Sequence, residues 1–240
     1  MTGARAIARD LWYLPTSASN AYLWRTATGS LVVVDPGLYG DEATVLGAIA
    51  ELGGTAHDVE SIVLTHFHSD HAGAASALAE ATGAQVCAGF RDAAVLRGES
   101  PAPSPDLTAA ERPIYESIAA AHPENMRAPR CEVSVELEHG DAVDAGESMI
   151  VHAVAGHTWG SVALHLPHCA AVLTGDVAIN GPGGRTTLGP FNVDRDRARR
   201  ARRRLAALDP RIAGLGHGPP LLRDAGEALR DATDVFAGPS

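Results

Sequence analysis

The 240-residue chain has few of the features that accompany export, membrane insertion or disulfide bonding. Its three cysteines, Cys87, Cys131 and Cys169, form no CxxC pair, so we expect no disulfide framework and a reducing, cytoplasmic environment. No stretch approaches the roughly 18 apolar residues that a membrane-spanning helix requires. Residues 1–15 contain no apolar run of signal-peptide length.

Basic residues are scarce: 19 Lys and Arg stand against 29 Asp and Glu, which gives a formal net charge of −10. Nucleic acids and anionic membranes attract proteins through a basic face, so we expect neither as a partner. The sequence therefore favours a small-molecule substrate, and it leaves a homodimer open.

The rest of the composition is that of a globular chain, 45% hydrophobic, and its length suits a single α/β domain over residues 1–240. Apolar runs predict strands near residues 22–24, 31–35, 59–65, 85–88, 132–137, 148–154, 162–166, 170–174 and 212–215. Helices are predicted near residues 42–52, 72–82, 109–121 and 194–208, with a last helix after Pro220. Two packed sheets with helices outside them are the expected architecture, and residues 194–240 supply the C-terminal helices and the last strand.

Residues 98–130 interrupt this pattern, because they contain six of the fifteen prolines around one helical piece. We interpret the segment as an insertion that forms a lid or one wall of a pocket. A surface excursion without function is an equally weighted alternative.

The strongest chemical signal is an H-x-H-x-D-H cluster formed by His66, His68, Asp70 and His71 directly after a predicted buried strand. Imidazole is the commonest transition-metal ligand, and a carboxylate adds a harder oxygen donor beside it. A loop that leaves a strand can converge such side chains on one point. We therefore predict a metal site here.

Three further polar residues stand at strand ends among small residues. They are His157 in Gly156–Ser161, Asp176 in Thr174–Asp176, and His217 between Gly216 and Gly218. Small neighbours let the backbone approach a site closely while one polar side chain points into it. With the cluster, the chain offers seven candidate ligands, which are too many for one tetrahedral zinc.

The order HxHxDH, GHTxGS, TGD and GHG resembles the metallo-β-lactamase superfamily of hydrolases, over residues 31–219 and including the early VVVDPG segment. The resemblance implies an α/β (α+β) fold, a four-layer αββα sandwich with its site at one edge of the sheets. It also implies that His66, His68 and His157 hold a first metal, that Asp70, His71 and His217 hold a second, and that Asp176 bridges both. One departure is Ala72-Gly73-Ala74, where the family pattern has x-Gly-Gly after its DH.

Two divalent ions are the cofactors expected, with Zn²⁺ favoured and Fe or Mn acceptable. A metal-bound hydroxide would then attack an ester, lactone or thioester of a small molecule, with Asp70 and Asp176 in catalytic roles. Trp159, Arg185 and Phe191 are weak candidates for substrate contacts, since core packing explains Trp159 equally well and solvation explains Arg185.

Two other functions stay open: a mononuclear iron enzyme resembling persulfide dioxygenases, and a non-catalytic metal-binding domain. Within the resemblance, Ile179 stands where acyl-homoserine-lactone lactonases have Tyr, and only 23 residues follow His217 where hydroxyacylglutathione hydrolases have a helical domain. The arginines of residues 195–204 favour a solvated amphipathic helix over a site for an anionic carrier.

Overall fold

The computed structural model describes residues 3–143 and 149–237. The strands are β1 (Arg5–Ala8), β2 (Leu11–Pro15), β3 (Asn20–Arg25), β4 (Leu31–Val34), β5 (Val59–Leu64), β6 (Gln85–Gly89), β7 (Val135–Leu137), β8 (Ile150–Ala153), β9 (Val162–Leu166), β10 (Ala171–Leu173), β11 (Ile179–Asn180), β12 (Thr186–Thr187) and β13 (Ile212–Gly214). The helices are α1 (Glu42–Glu51), α2 (Ser69–Ala72), α3 (Ala75–Thr82), α4 (Phe90–Leu96), α5 (Arg112–Ala121), α6 (Arg195–Ala206) and α7 (Ala225–Asp231).

Two main sheets form in the described residues. The first has the order β1-β2-β3-β4-β5-β6-β7; its strands are antiparallel up to β4 and parallel from β4 to β7. The second has the order β13-β10-β9-β8, with β10 parallel to β13 and the other pairs antiparallel. Strands β11 and β12 form a small separate hairpin.

Three apolar clusters separate four layers. The central cluster joins the inner faces of both sheets, with Trp24, Val63 and Leu164 among its members. A second cluster packs α1, α3 and α4 on the outer face of the first sheet, and a third packs α6 and α7 on the second sheet. Both sheets are buried on both faces, which explains their nearly continuous apolar runs. The predicted αββα sandwich is confirmed.

The predicted strands and helices recur with shifted ends. The strand predicted at 132–137 begins only at Val135, and the helix predicted at 72–82 is divided into α2 and α3 around Gly73. A Cβ at Gly73 would overlap the backbone carbonyl of Ser69 and the backbone of Tyr39, so this position permits close chain packing. Residue 148 of the predicted strand 148–154 and residues 238–240 of the predicted C-terminal segment lie outside the described residues.

Strands β1 and β2, helix α4 and the β11–β12 hairpin were not predicted from the sequence. Strand β2 alternates its side chains between two clusters, with Leu11 and Tyr13 facing the central one and Leu14 the outer one. An apolar strand of this kind lacks the polar alternation that marks a half-buried strand. No helix in the described part of the chain has the length and apolar character needed to cross a membrane.

The 98–130 segment is anchored through a buried carboxylate. Glu111 is fully buried, and its carboxylate accepts hydrogen bonds from the backbone N–H groups of Thr108 and Phe191. It also forms an ion pair with Arg195, which pairs in turn with Asp234 at 2.7 Å. This network ties the start of α5 to α6 and to the C-terminal segment.

Replacement of Glu111 by Ala should therefore destabilise the fold. Because Asp234 still neutralises Arg195, we expect a loss of about 3 kcal/mol in the free energy of unfolding, the low end for a broken buried ion pair. Urea denaturation measures it. The matched control is Glu116→Ala, an exposed position on the same helix, which should change stability by less than about 0.5 kcal/mol. Equal effects of both substitutions would contradict the anchoring role.

Candidate metal centre

The strand directions bring several loops to one edge of the sandwich. Parallel strands β4 and β5 end at Val34 and Leu64 on the same edge of the first sheet. In the second sheet, β10 and β13 also end side by side, and the turn between β8 and β9 reaches that edge because β9 is antiparallel to β10. The Val162 N–H donates to the Thr65 carbonyl at 2.8 Å. The two sheets therefore meet at this edge.

The first group of candidate ligands consists of His66, His68 and His157, each offering a ring nitrogen within 4.8 Å of the others. His66 and His68 follow β5, and His157 lies in the β8–β9 turn. Nδ1 of His68 is 2.9 Å from Nε2 of His157. His66 and His157 are each 1% exposed, whereas His68 is partly exposed, so the group reaches the surface only at His68.

The second group consists of Asp70, His71 and His217, again with ligand atoms within 4.8 Å of one another. The short helix α2 carries Asp70 and His71, and His217 follows β13. Oδ2 of Asp70 is 3.6 Å from Nε2 of His71 and 3.3 Å from Nε2 of His217. The side chains of Asp70 and His217 are 27% and 28% exposed, whereas His71 is fully buried.

Asp176 lies between the two groups. One carboxylate oxygen is 3.3 Å from Nε2 of His71, and the other is 3.3 Å from Nε2 of His217 and 3.7 Å from Nε2 of His157. A Cβ at Gly216 would overlap the Asp176 carboxylate, so glycine is required there for the carboxylate to reach this position. The structure thus brings together all seven side chains that the sequence singled out.

Asp35 orients this centre, although the sequence placed it only at the end of the predicted strand 31–35. Its Oδ2 accepts hydrogen bonds from Nδ1 of His71 at 2.9 Å and from the Thr65 hydroxyl at 2.6 Å, and its Oδ1 accepts from the Thr65 N–H at 2.8 Å. These bonds leave Nε2 of His71 facing Asp70 and Asp176. Nδ1 of His217 similarly donates to the Ala18 carbonyl at 2.9 Å. Partners of this kind fix the tautomer and ring orientation of metal-binding histidines.

Asp92 is a second residue that the sequence did not reveal. Its carboxylate accepts hydrogen bonds from the Gly160 N–H at 2.8 Å, the Thr158 hydroxyl at 2.6 Å and the Phe67 N–H at 3.1 Å. It therefore joins the loop of His66 and His68 to the turn of His157. Burial raises the pKa of Asp92 to about 7, against the opposing effect of these three donors. No local motif announces this residue, because all three donors are distant in sequence.

The two ligand groups differ in charge. Burial lowers the pKa of His66 and His68, and lowers the pKa of His157 to about 3, which favours neutral rings with free lone pairs. Burial would also lower the pKa of His71 and His217, but the neighbouring carboxylates raise the first well above its usual value and the second to about 10. The carboxylates beside His71 and His217 therefore favour a positive charge on these two rings.

Unpartnered polar atoms show what kind of group fits between these side chains. Among the described residues, Nε2 of His66 and Oδ1 of Asp176 are buried without a hydrogen-bond partner. A buried acceptor left unpaired is costly, and a cation satisfies both atoms. Neutral imidazoles, carboxylates and buried lone pairs together form a donor set that suits divalent metal ions.

The three predicted substrate residues lie around this centre in different surroundings. Trp159 is 36% exposed two residues after His157, with the Arg197 guanidinium 5.9 Å from its ring. Phe191 packs against Tyr115 of α5, with ring centroids 5.3 Å apart. Arg185 is exposed between β11 and β12. Their contact with substrate remains a prediction.

Curated relatives match most of this chain in sequence. Hydroxyacylglutathione hydrolase of Rhodobacter capsulatus is 31% identical over 179 residues, which make up 73% of this chain and 54% of that protein. The protein of the same name from Pseudomonas putida F1 is 29% identical over 206 residues, or 83% of this chain and 62% of that protein. The chain thus spans little more than half the length of these relatives.

Solved structures share the fold. A metallo-beta-lactamase family protein from Thermus thermophilus superposes with a TM-score of 0.68 at 24% identity, covering 94% of this chain and 79% of that one. The structure of TTHA1623 in a di-iron-bound form gives a TM-score of 0.64 at 27% identity, covering 93% of this chain and all of that one. The family model described as the metallo-beta-lactamase superfamily matches residues 14–217, and this chain belongs to that superfamily.

Proposed function

We propose that this protein is a metal-dependent hydrolase that uses two divalent ions to cleave an ester or thioester of a small molecule, with a lactone as a further candidate substrate. The observation that carries the proposal is the position of Asp176 within 3.7 Å of histidines from both ligand groups. One carboxylate between two ligand groups is the arrangement expected for a pair of ions that share a bridging ligand.

In this proposal His66, His68 and His157 hold one ion, Asp70, His71 and His217 hold the other, and Asp176 contacts both. Zn²⁺ is the favoured metal because it accepts imidazole and carboxylate ligands in catalytic sites. Iron is the main competitor, since the TTHA1623 structure is a di-iron-bound form. When bound, such ions lower the pKa of water toward neutrality and polarise a carbonyl oxygen.

The chain's own residues determine how substrate reaches the centre. His66, His71 and His157 are at most 1% exposed, whereas Asp70 and His217 are more than a quarter exposed. His68 of the first group is partly exposed as well, so we place the approach of the substrate on the side of His68, Asp70 and His217. At this open side, we assign proton exchange with solvent and with the departing group to Asp70, because its carboxylate is 27% exposed.

The relatives favour a thioester among the candidate substrates, because they are named for hydrolysis of hydroxyacylglutathione. The match covers 54% of the first of these proteins, so only the part of the relative that aligns supports the comparison. We therefore propose the thioester bond as the reacting group and leave the thiol unspecified.

Metal analysis tests the proposed pair of ions. Purified protein reconstituted with Zn²⁺ or Fe²⁺ should hold about two ions per chain, because both ligand groups are complete. Asp176→Asn should reduce the content to one ion or fewer, since a neutral amide cannot bridge two cations. Elemental analysis after gel filtration gives the stoichiometry.

The control for this experiment is His57→Ala, an exposed histidine outside the centre, which should retain both ions. Retention of two ions by Asp176→Asn would contradict the bridging role. A single tightly held iron in the unaltered protein would instead favour the mononuclear alternative.

The hydrogen bond from His71 to Asp35 gives a second prediction. Asp35→Asn should weaken binding of the ion at the second group about 10- to 100-fold, the usual effect of removing an outer partner of a metal-binding histidine. Titration against a chromogenic chelator measures the affinity. Asp231→Asn, an exposed aspartate of α7, is the matched control and should bind metal as the unaltered protein does. An unchanged affinity in Asp35→Asn would show that Asp35 serves the fold alone.

A substrate panel tests the reaction itself. The metal-loaded protein should hydrolyse at least one of a hydroxyacylglutathione, a simple thioester, an aryl ester and a lactone, and chelation should abolish the activity. Product release is followed by thiol or phenol absorbance, and by acid release for the lactone. Oxygen consumption on glutathione persulfide without hydrolysis would favour the dioxygenase alternative, and bound metal without either reaction would favour the non-catalytic domain.

A further inference from the structure

Helix α5 is amphipathic, yet it contributes nothing to the three apolar clusters. None of its ten residues, all of which lie in the described chain, is buried. Ile114 and Ile118 are each 42% exposed. A surface helix normally buries its apolar stripe against the core, so the apolar face of α5 requires another explanation.

The position of Glu111 shows which way this face points. Glu111 immediately precedes α5 and is fully buried against Phe191 and Arg195. At about 100° per residue, Ile114, Tyr115 and Ile118 all lie within about 60° of Glu111 around the helix axis. The apolar face is therefore turned toward the body of the protein. Ile114 and Ile118 are nevertheless 42% exposed, so the body of the protein leaves this part of the apolar face uncovered.

The hydrogen bonds of the residues just before α5 show which segment lies beside the first turn of the helix. The Asp106 N–H donates to the Asn192 carbonyl at 2.9 Å, and the Phe191 N–H donates to Glu111. Both partners belong to residues 189–193. At the end of this segment, the Val193 N–H donates to the His157 carbonyl at 3.1 Å. A Cβ at residue 189, a glycine, would overlap the backbone carbonyl of residue 176. This end of α5 is therefore placed beside the part of the metal centre that holds His157.

After α5, the turn Pro123–Met126 packs against α2. The Ser69 hydroxyl donates to the Asn125 carbonyl, one residue before Asp70. The helix thus runs from the His157 and Asp176 side of the metal centre to the Asp70 side. A ten-residue helix is about 15 Å long, and the segments that flank α5 contact both of these sides of the centre.

We propose that α5 forms the roof of an apolar subsite, lined by Ile114, Ile118, Tyr115 and Phe191, that binds the acyl chain of the substrate beside the metal centre. The inference rests on the proposed hydrolase function and adds a substrate class, namely esters or thioesters with an apolar acyl chain. Tyr115 and Phe191 form the closed end, with their rings in edge contact 5.3 Å apart.

The charges around the roof agree with an apolar ligand. The Glu111 carboxylate on this side is neutralised by Arg195, and Arg112 and Glu116 are exposed. An apolar chain bound against this face removes the exposed parts of both isoleucines from water. Each methylene that is fully buried in this way should increase kcat/KM about fourfold.

The test is a series of acyl thioesters of one thiol, from about two to about ten carbons, given to the metal-loaded protein. In the unaltered protein we expect kcat/KM to rise about fourfold per methylene up to about six carbons. The double variant Ile114→Ser/Ile118→Ser should lose about tenfold on the eight-carbon substrate and less than about twofold on the two-carbon substrate. Both isoleucines are partly exposed, so the variant should fold.

The matched control is Ala120→Ser, which introduces the same residue on the opposite face of α5 and should leave the whole series unchanged. Binding of octanoate and acetate by calorimetry gives a readout that needs no turnover. Octanoate should bind more tightly than acetate to the unaltered protein, and the double variant should lose this difference.

The outcomes separate the subsite from the hydrolase function. Hydrolysis without chain-length preference, or an equal loss on short and long substrates in the double variant, overturns the subsite and leaves the hydrolase intact. Octanoate binding that depends on the two isoleucines, without any hydrolysis, supports the subsite and counts against the hydrolase. Absence of a binding difference between octanoate and acetate overturns the subsite.

Discussion

Negative charge held inside the protein is the constraint on which the rest of the centre depends. Asp35, Asp70 and Asp176 surround His71, which is fully buried. Asp35 and Asp176 are buried and Asp70 is partly exposed, and carboxylates so close together need a cation or a proton to compensate their charge. They raise the pKa of His71 well above its usual value, against the opposing effect of burial. A pair of divalent ions would provide that compensation and would leave the imidazoles neutral as ligands.

The αββα sandwich suits this requirement because each sheet brings strand ends to the same edge. In the first sheet β4 and β5 carry Asp35 and the His66 loop, and in the second β10 and β13 carry Asp176 and His217. At this edge the two sheets are fixed relative to each other by hydrogen bonds, such as the one from the β9 backbone to the Thr65 carbonyl. The ligands lie on loops, but the rigid strands of the two sheets set the positions of these loops.

The candidate ligands could be predicted from sequence because each lies at a strand end beside small residues or other ligands. The four ligands of the H-x-H-x-D-H cluster lie within six consecutive positions, so their convergence is a local property. Asp35 and Asp92 could not be assigned in this way, because their partners lie 25 to 68 residues away. Only the folded chain brings them together. Strand β2 was missed for a different reason, because it directs its apolar residues to two clusters at once and lacks a polar alternation. Helix α4 has seven residues, fewer than the window over which a helical period is read.

In the proposed acyl subsite, helix α5 would let the fold keep its chemistry and change its substrate. The ligand loops depend on the sheets, so a change in one of them would disturb the packing of the sandwich. The 98–130 segment is held by contacts before and after α5, among them Glu111 with Arg195 and Asn125 with Ser69. None of the residues of α5 is buried, so substitutions on its apolar face should have little effect on the core. In the proposed subsite, the buried charge pair before α5 sets the orientation of the helix and so decides which side chains face the metal centre.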